Sequence, residues 1–124
     1  MSDEALALNI TNIITDSDLD GVVTGAILRR WWPNAEIKFG HPGNLRAGMM
    51  DHLINRNTAI CDLPRHPKCG LSIDHHQSNK PIDKGDSETV VLWEETPSAA
   101  RIAYNILKEK LDLTDLTEMM VWVD

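Results

Sequence analysis

Cysteine is scarce in this chain, and so is aromatic bulk other than tryptophan: there are two Cys, one Phe and one Tyr against four Trp. Two thiols, Cys61 and Cys69, do not make a disulfide framework, and the cytoplasm is the expected compartment. No apolar run approaches the roughly 20 residues a bilayer-spanning helix needs, so no membrane partner is expected. The opening MSDEALALNI is acidic where an export signal is basic. Positive charge is also short. Twelve Lys and Arg face 19 Asp and Glu, for a formal charge of −7, which argues against a basic surface gripping nucleic acid unaided. Nucleic acid stays open as a partner where bound cations face its phosphates, because a metal can be the largest local charge in a site.

Hydrophobic residues make up 42% of the 124, enough for one domain with its own core. Residues 9–15 (NITNIIT) are rich in β-branched side chains and read as a first strand. The run GVVTGAILRRWW then reads as a helix with Val22, Val23, Ala26 and Ile27 on one face, stopped by Pro33-Asn34. Residues 36–39, 58–62, 71–74 and 89–93 read as four more strands. Leu45, Met49 and Leu53 at four-residue spacing predict a helix between the second and third. The polar stretch 77–87 is a loop, and Thr96-Pro97-Ser98 announces a helix carrying Ala99, Ile102, Ala103, Ile106 and Leu107. A last helix begins near Thr114 or Asp115, and the end at Asp124 reads as a cut through an element. Alternating strands and helices predict a three-layer α/β fold of the Rossmann-like kind, with about five mostly parallel strands between helices. Repeats and low-complexity segments are absent.

Three of these strands run into acids: Asp16, Asp18 and Asp20 after the first, Asp62 after the third, and Asp74-His75-His76 at the end of the fourth. In a parallel sheet those ends share one edge, where open α/β folds keep their sites. So many carboxylates raise one another's pKa unless a counter-charge is present. Imidazole with carboxylate is a donor set for Mn, Zn or Fe rather than Ca. Two divalent cations, about 3.5–4 Å apart in known dinuclear sites, would offset more than half of the net negative charge.

Two rival readings of the first acidic stretch fail on context. Its D-x-D-x-D-G pattern resembles an EF-hand loop, but the twelfth position is Ile27 instead of Glu and a strand precedes it. Residues 18–23 (DLDGVV) resemble the nucleophile motif of haloacid-dehalogenase-like phosphatases. There, however, Asp16 and Ser17 would interrupt the strand, and Asp74-His75-His76 would have no role.

Taken in order, D-x-D-x-D-G, Ile60-Cys61-Asp62 and Ile73-Asp74-His75-His76 with Asn79 resemble the DHH phosphoesterase superfamily, the first motif being RecJ-like. The resemblance spans residues 1–124 as that family's N-terminal catalytic domain. It implies Mn-dependent hydrolysis, with two ions (Mg or Co as substitutes), of phosphodiesters in nucleotides or single-stranded nucleic acid. Pyrophosphate and polyphosphate are the alternative substrates, and a non-catalytic interaction module is the alternative role. Matched by position, Asp18 and Asp20 each serve one metal, Asp62 bridges both, His75 is a ligand, and His76 faces the phosphate. Asp74 orients a histidine, and Asp124 is the candidate for the family's fourth motif. Two departures stand out. Ile14 lies where many members carry a His, leaving Asp16 as a substitute ligand, and the family's C-terminal substrate-binding domain is not within these residues.

Other residues have plainer readings. Cys61, His66 and Cys69, with His41 or His52, match no common zinc spacing. Trp31, Trp32 and Trp93 read as core or interface fillers, Met49-Met50 and Met119-Met120 as helix packing. Arg29, Arg30, Arg46, Arg56, Arg65 and Lys68 read mainly as solvated cations, with a phosphate path as the sharper alternative.

Overall fold

Five short runs of apolar and β-branched residues form the sheet: β1 (Asn12–Asp16), β2 (Glu36–Gly40), β3 (Thr58–Cys61), β4 (Leu71–Asp74) and β5 (Val90–Trp93). In this computed structural model, which describes residues 2–81 and 88–124, every pairing is parallel and the order is β2-β1-β3-β4-β5. The helices are α1 (Ser2–Leu6), α2 (Leu19–Trp31), α3 (Pro42–Arg46), α4 (Ala99–Leu107) and α5 (Thr117–Val123). The α/β class read from the sequence is the class observed. Residues 82–87 of the expected loop lie outside the described residues; Gln77–Asn79 form a 3₁₀ turn.

Alternation along each strand sends side chains to two cores. Ile13, Ala59, Cys61, Leu71, Ile73, Val90 and Leu92 pack with α1, α2, α4 and α5. On the opposite face Ile14 and Ile60 pack with Leu45, Met50, Ile54, Leu63 and Cys69. Cys61 and Cys69 therefore belong to different faces of the sheet, which dissolves the zinc reading. The chain order reverses between β1 and β3, and in open α/β sheets a crevice forms outside the strand ends at such a point. Among the described residues no helix is long and apolar enough to cross a membrane.

Several local expectations are corrected. Helix α1 was not legible, though its Asp3 and Glu4 suit a helix start. Its place is set by Trp31 and Trp32, whose indole N–H groups donate to Leu6 O (3.0 Å) and Leu8 O (2.8 Å). The helix expected over Leu45, Met49 and Leu53 is broken. Gly48 takes a φ of 76°, ending α3, and Asp51–Leu53 continue only as a 3₁₀ turn. Met50 turns inward as a result, while Met49 is 65% exposed. On α2 the buried face runs through Gly21, Val23, Thr24, Gly25, Ile27 and Leu28, leaving Val22 and Ala26 outside. Gly21 and Gly25 of this face lie against β1 and β2, where a Cβ would meet Asp16, Thr15 and Ile37. Of the second Met pair, Met120 is buried and Met119 is 40% exposed.

Gly21 sets the approach of α2 to β1. A Cβ there would lie 1.9 Å from the Asp16 carbonyl oxygen, whereas one at Gly43 would meet nothing within 4 Å. Gly21→Ala should cost about 1–3 kcal/mol in a urea melt, as overpacking does. Gly43→Ala should be neutral or stabilising by up to about 1 kcal/mol. Equal stability of the two variants would contradict this account of the β1–α2 turn.

Candidate active site

The acids reach one edge of the sheet because each strand ends in a different backbone device. After β1 the chain turns at Asp16, whose carboxylate accepts from Ser17 N at 2.7 Å. Asp18 then caps α2, taking Gly21 N at 2.8 Å, and Thr15 Oγ1 donates to Gly21 O at 2.8 Å. After β3, Asp62 adopts a φ of 60°, a left-handed conformation that Asp tolerates better than most residues. Its N–H donates to Ile73 O at 2.8 Å, holding the turn against β4.

That turn buries the Asp62 carboxylate. The residue is 2% exposed, and neither oxygen has a hydrogen-bond partner among the described residues. Burial first, then the nearby charges of Asp20 and Asp18, push its carboxyl up from 3.8 to about 9.

Asp74 is the opposite case. Its Oδ1 accepts from His75 N (2.8 Å) and His76 N (3.3 Å), and its Oδ2 accepts from Asn79 Nδ2. His76 Nδ1–H donates to the same Oδ1 at 2.6 Å. This leaves His76 Nε2 free on a side chain that is 45% exposed. His75 Nδ1–H donates to the Thr96 carbonyl at 3.1 Å, so its Nε2 is the nitrogen turned to the acids. It sits 3.2 Å from Asp20 Oδ2 and 3.4 Å from Asp62 Oδ1. Three such atoms at this spacing need a proton or a cation among them. A ring whose other N–H is held by a carbonyl is the usual setting of a metal-binding histidine.

Two sets of donor atoms lie within 4.8 Å of one another: Asp16, Asp18 and Asp62, and Asp62, Asp74, His75 and His76. Asp62 belongs to both. The orphaned Asp62 oxygens, the inward Nε2 of His75 and the carboxylate-imidazole chemistry all fit divalent cations.

Asp20 and Asp124 are placed differently. Asp20 touches His75, but both its oxygens also accept backbone N–H groups at the start of α4, from Ala99 (3.0 Å) and Ala100 (2.9 Å). Asp124 lies in neither set. It accepts from Ser98 Oγ at 2.8 Å and pairs with the Arg101 guanidinium. Ile14, where the resemblance would have a His, is fully buried against Leu45 and Ile60. Asp16 stands in the first set instead.

Four contributors were not singled out as site residues from the sequence. Thr96 acts through its carbonyl, and Ala99 and Ala100 act through their amides, so no side-chain pattern announces them. Trp93, read as filler, donates its indole N–H to His76 O at 2.9 Å. Among the cations named earlier, Arg30 pairs with Asp115, Arg56 with Glu88, and Arg29 donates to Pro33 O.

No family model matches the chain, and no curated protein matches it. Among solved structures it resembles the pGpG-specific phosphodiesterase PggH of Vibrio cholerae, with 26% sequence identity and a TM-score of 0.67. The superposition covers 90% of this chain and 35% of that protein, so the chain spans about a third of its length.

Proposed function

We propose that this chain is the catalytic domain of a metal-dependent phosphoesterase that hydrolyses phosphodiester bonds in nucleotides or short single-stranded nucleic acid. The observation that carries the reading is Asp62, a buried carboxylate without a hydrogen-bond donor, shared by two donor sets at the strand ends. The likeness to a phosphodiesterase of a linear dinucleotide supports the substrate class. Asp16, Asp18 and Asp62 would hold one cation, and Asp62, His75 and Asp20 a second, with manganese favoured by the mixed imidazole and carboxylate donors. When bound, such a pair supplies hydroxide at neutral pH and neutralises charge on the phosphoryl oxygens.

The chain's own groups do the rest. Asp62 stays deprotonated once cations replace its proton. Thr96 O holds His75 in the tautomer that presents Nε2 inward. Asp74, fixed by two backbone amides and Asn79, aligns His76 by accepting its Nδ1–H. His76 then gives a proton from Nε2 to the leaving-group oxygen as the P–O bond breaks, the task of a general acid. Asp124, engaged by Arg101, closes the start of α4 in this reading.

Two expectations follow from these roles. Asp62 holds a proton in the folded protein that the unfolded chain has already released, from about pH 4 up to its raised value of about 9. Stability of the metal-free protein should therefore fall as pH rises through that window, by at most about 1.4 kcal/mol per unit. Thermal melts of metal-free protein at pH 5 and pH 8 should show this fall, and Asp62→Asn should flatten it. Manganese should raise the melting temperature more at pH 8 than at pH 5, because binding displaces the proton. Calcium should do less. Identical melts with chelator, Mn and Ca would rule out an assembled metal site.

The second expectation concerns turnover, measured on pGpG, longer oligonucleotides and pyrophosphate with Mn. His76→Ala should lower kcat by about 10²-fold or more while Mn content is retained. His75→Ala should lose metal. Equal metal loss in both variants would show that the two roles are wrongly divided, and hydrolysis of pyrophosphate alone would overturn the phosphodiester reading.

A further inference from the structure

We propose that Trp93 is a positioning residue for His76, a role that rests on the reading of His76 as the proton donor. Trp93 is the last residue of β5 and lies in register with Asp74 across the β4–β5 pairing. Its indole N–H donates to His76 O at 2.9 Å, and the same carbonyl accepts Asn79 N at 3.0 Å. The Lys80 ammonium sits over the Trp93 ring, 5.3 Å from its centroid. One side chain thus grips the turn Gln77–Asn79 at both of its ends.

Among the described residues the other bonds of this turn are local. His76 N and Nδ1 go to Asp74, Asn79 Nδ2 goes to Asp74, and Lys80 N goes to Gln77 O. These bonds hold the turn together internally, while His75 Nδ1 ties only its base to Thr96 O. The indole ties that unit to a neighbouring strand. His76 Nε2 has to point at a leaving group above Asp62 and His75, so its direction depends on where the whole unit rests. Asp74 sets the tautomer of the ring from within the turn, and Trp93 sets where the turn, and with it the ring, comes to rest.

Trp93→Phe tests this, since it keeps the ring under Lys80 and removes the N–H. Trp122→Phe, at a position 74% exposed on α5, is the control. In metal-free protein, NMR should find His76 protonated at Nδ1 by its bond to Asp74 in both proteins, with its ring nitrogen and proton signals sharp in the wild type and shifted and exchange-broadened in Trp93→Phe, the signals assigned from His76→Asn. With pGpG and Mn, kcat should fall about tenfold, as for other residues that orient a catalytic group. KM, Mn content and melting temperature should hold, and Trp122→Phe should match the wild type throughout.

Wild-type ring signals and kcat in Trp93→Phe would overturn the proposal. So would a raised KM at unchanged kcat, which would make Trp93 a surface on which the substrate base stacks. If the wild type leaves pGpG intact, the phosphodiesterase reading fails, while the nitrogen signals still decide whether Trp93 positions His76.

Discussion

The site depends on a carboxylate kept dry. Asp62 sits at the end of a central strand with both oxygens buried and unbonded, beside two further acids. A single isolated charge in such a place is unfavourable by several kcal/mol, so the group must carry a proton or face cations. The left-handed turn at Asp62 adds backbone strain of about 1–3 kcal/mol. Both terms oppose folding, and both are confined to the residue on which the two donor sets converge. The structure tolerates them because the surrounding strands are fully buried and hydrogen-bonded on either side.

Around this point the two histidines are differentiated by what holds them. His75 is fixed by a main-chain carbonyl and looks inward, whereas His76 is fixed by a saturated carboxylate and looks outward. The rings are neighbours, with centroids 4.5 Å apart, yet their second nitrogens differ, that of His75 meeting Asp20 and Asp62. Asp74 and Asp62 divide in the same way. One is surrounded by donors and the other has none among the described residues. Identical residue types thus acquire separate environments from the groups around them.

Much of this was legible in the chain. Acids following apolar runs marked strand ends, and parallel topology required those ends to share an edge. The strands and α4 stand close to where their patterns placed them. What the patterns missed has physical causes. The short N-terminal helix and the residues after it are tied down by two tryptophan N–H groups at the end of α2, which no local propensity encodes. A single glycine in the left-handed region split an expected helix and exchanged Met49 for Met50 in the core. On α2 the glycines face inward because β1 and β2 lie close, so Val23 and Ile27 stay on the buried face while Val22 and Ala26 turn outward. The carbonyl of Thr96 and the amides of Ala99 and Ala100 were invisible because every residue carries them. Asp124 stood out as a late acid, but Arg101, its partner in the fold, gave no sign of that pairing in the sequence.

The link from Asp20 to Ala99 and Ala100 spans 79 and 80 positions of sequence. Loop closure over such a separation is among the slower events of folding and is gained only when non-local packing is already in place. The acidic crevice is thereby made to depend on a contact remote in sequence. Asp18 and Asp62 are placed by turns beside β1 and β3, but Asp20 is held by amides of α4, which follows all five strands. A change at the start of α4 that withdraws those amides would loosen Asp20 beside His75 and leave the other strand ends where they are.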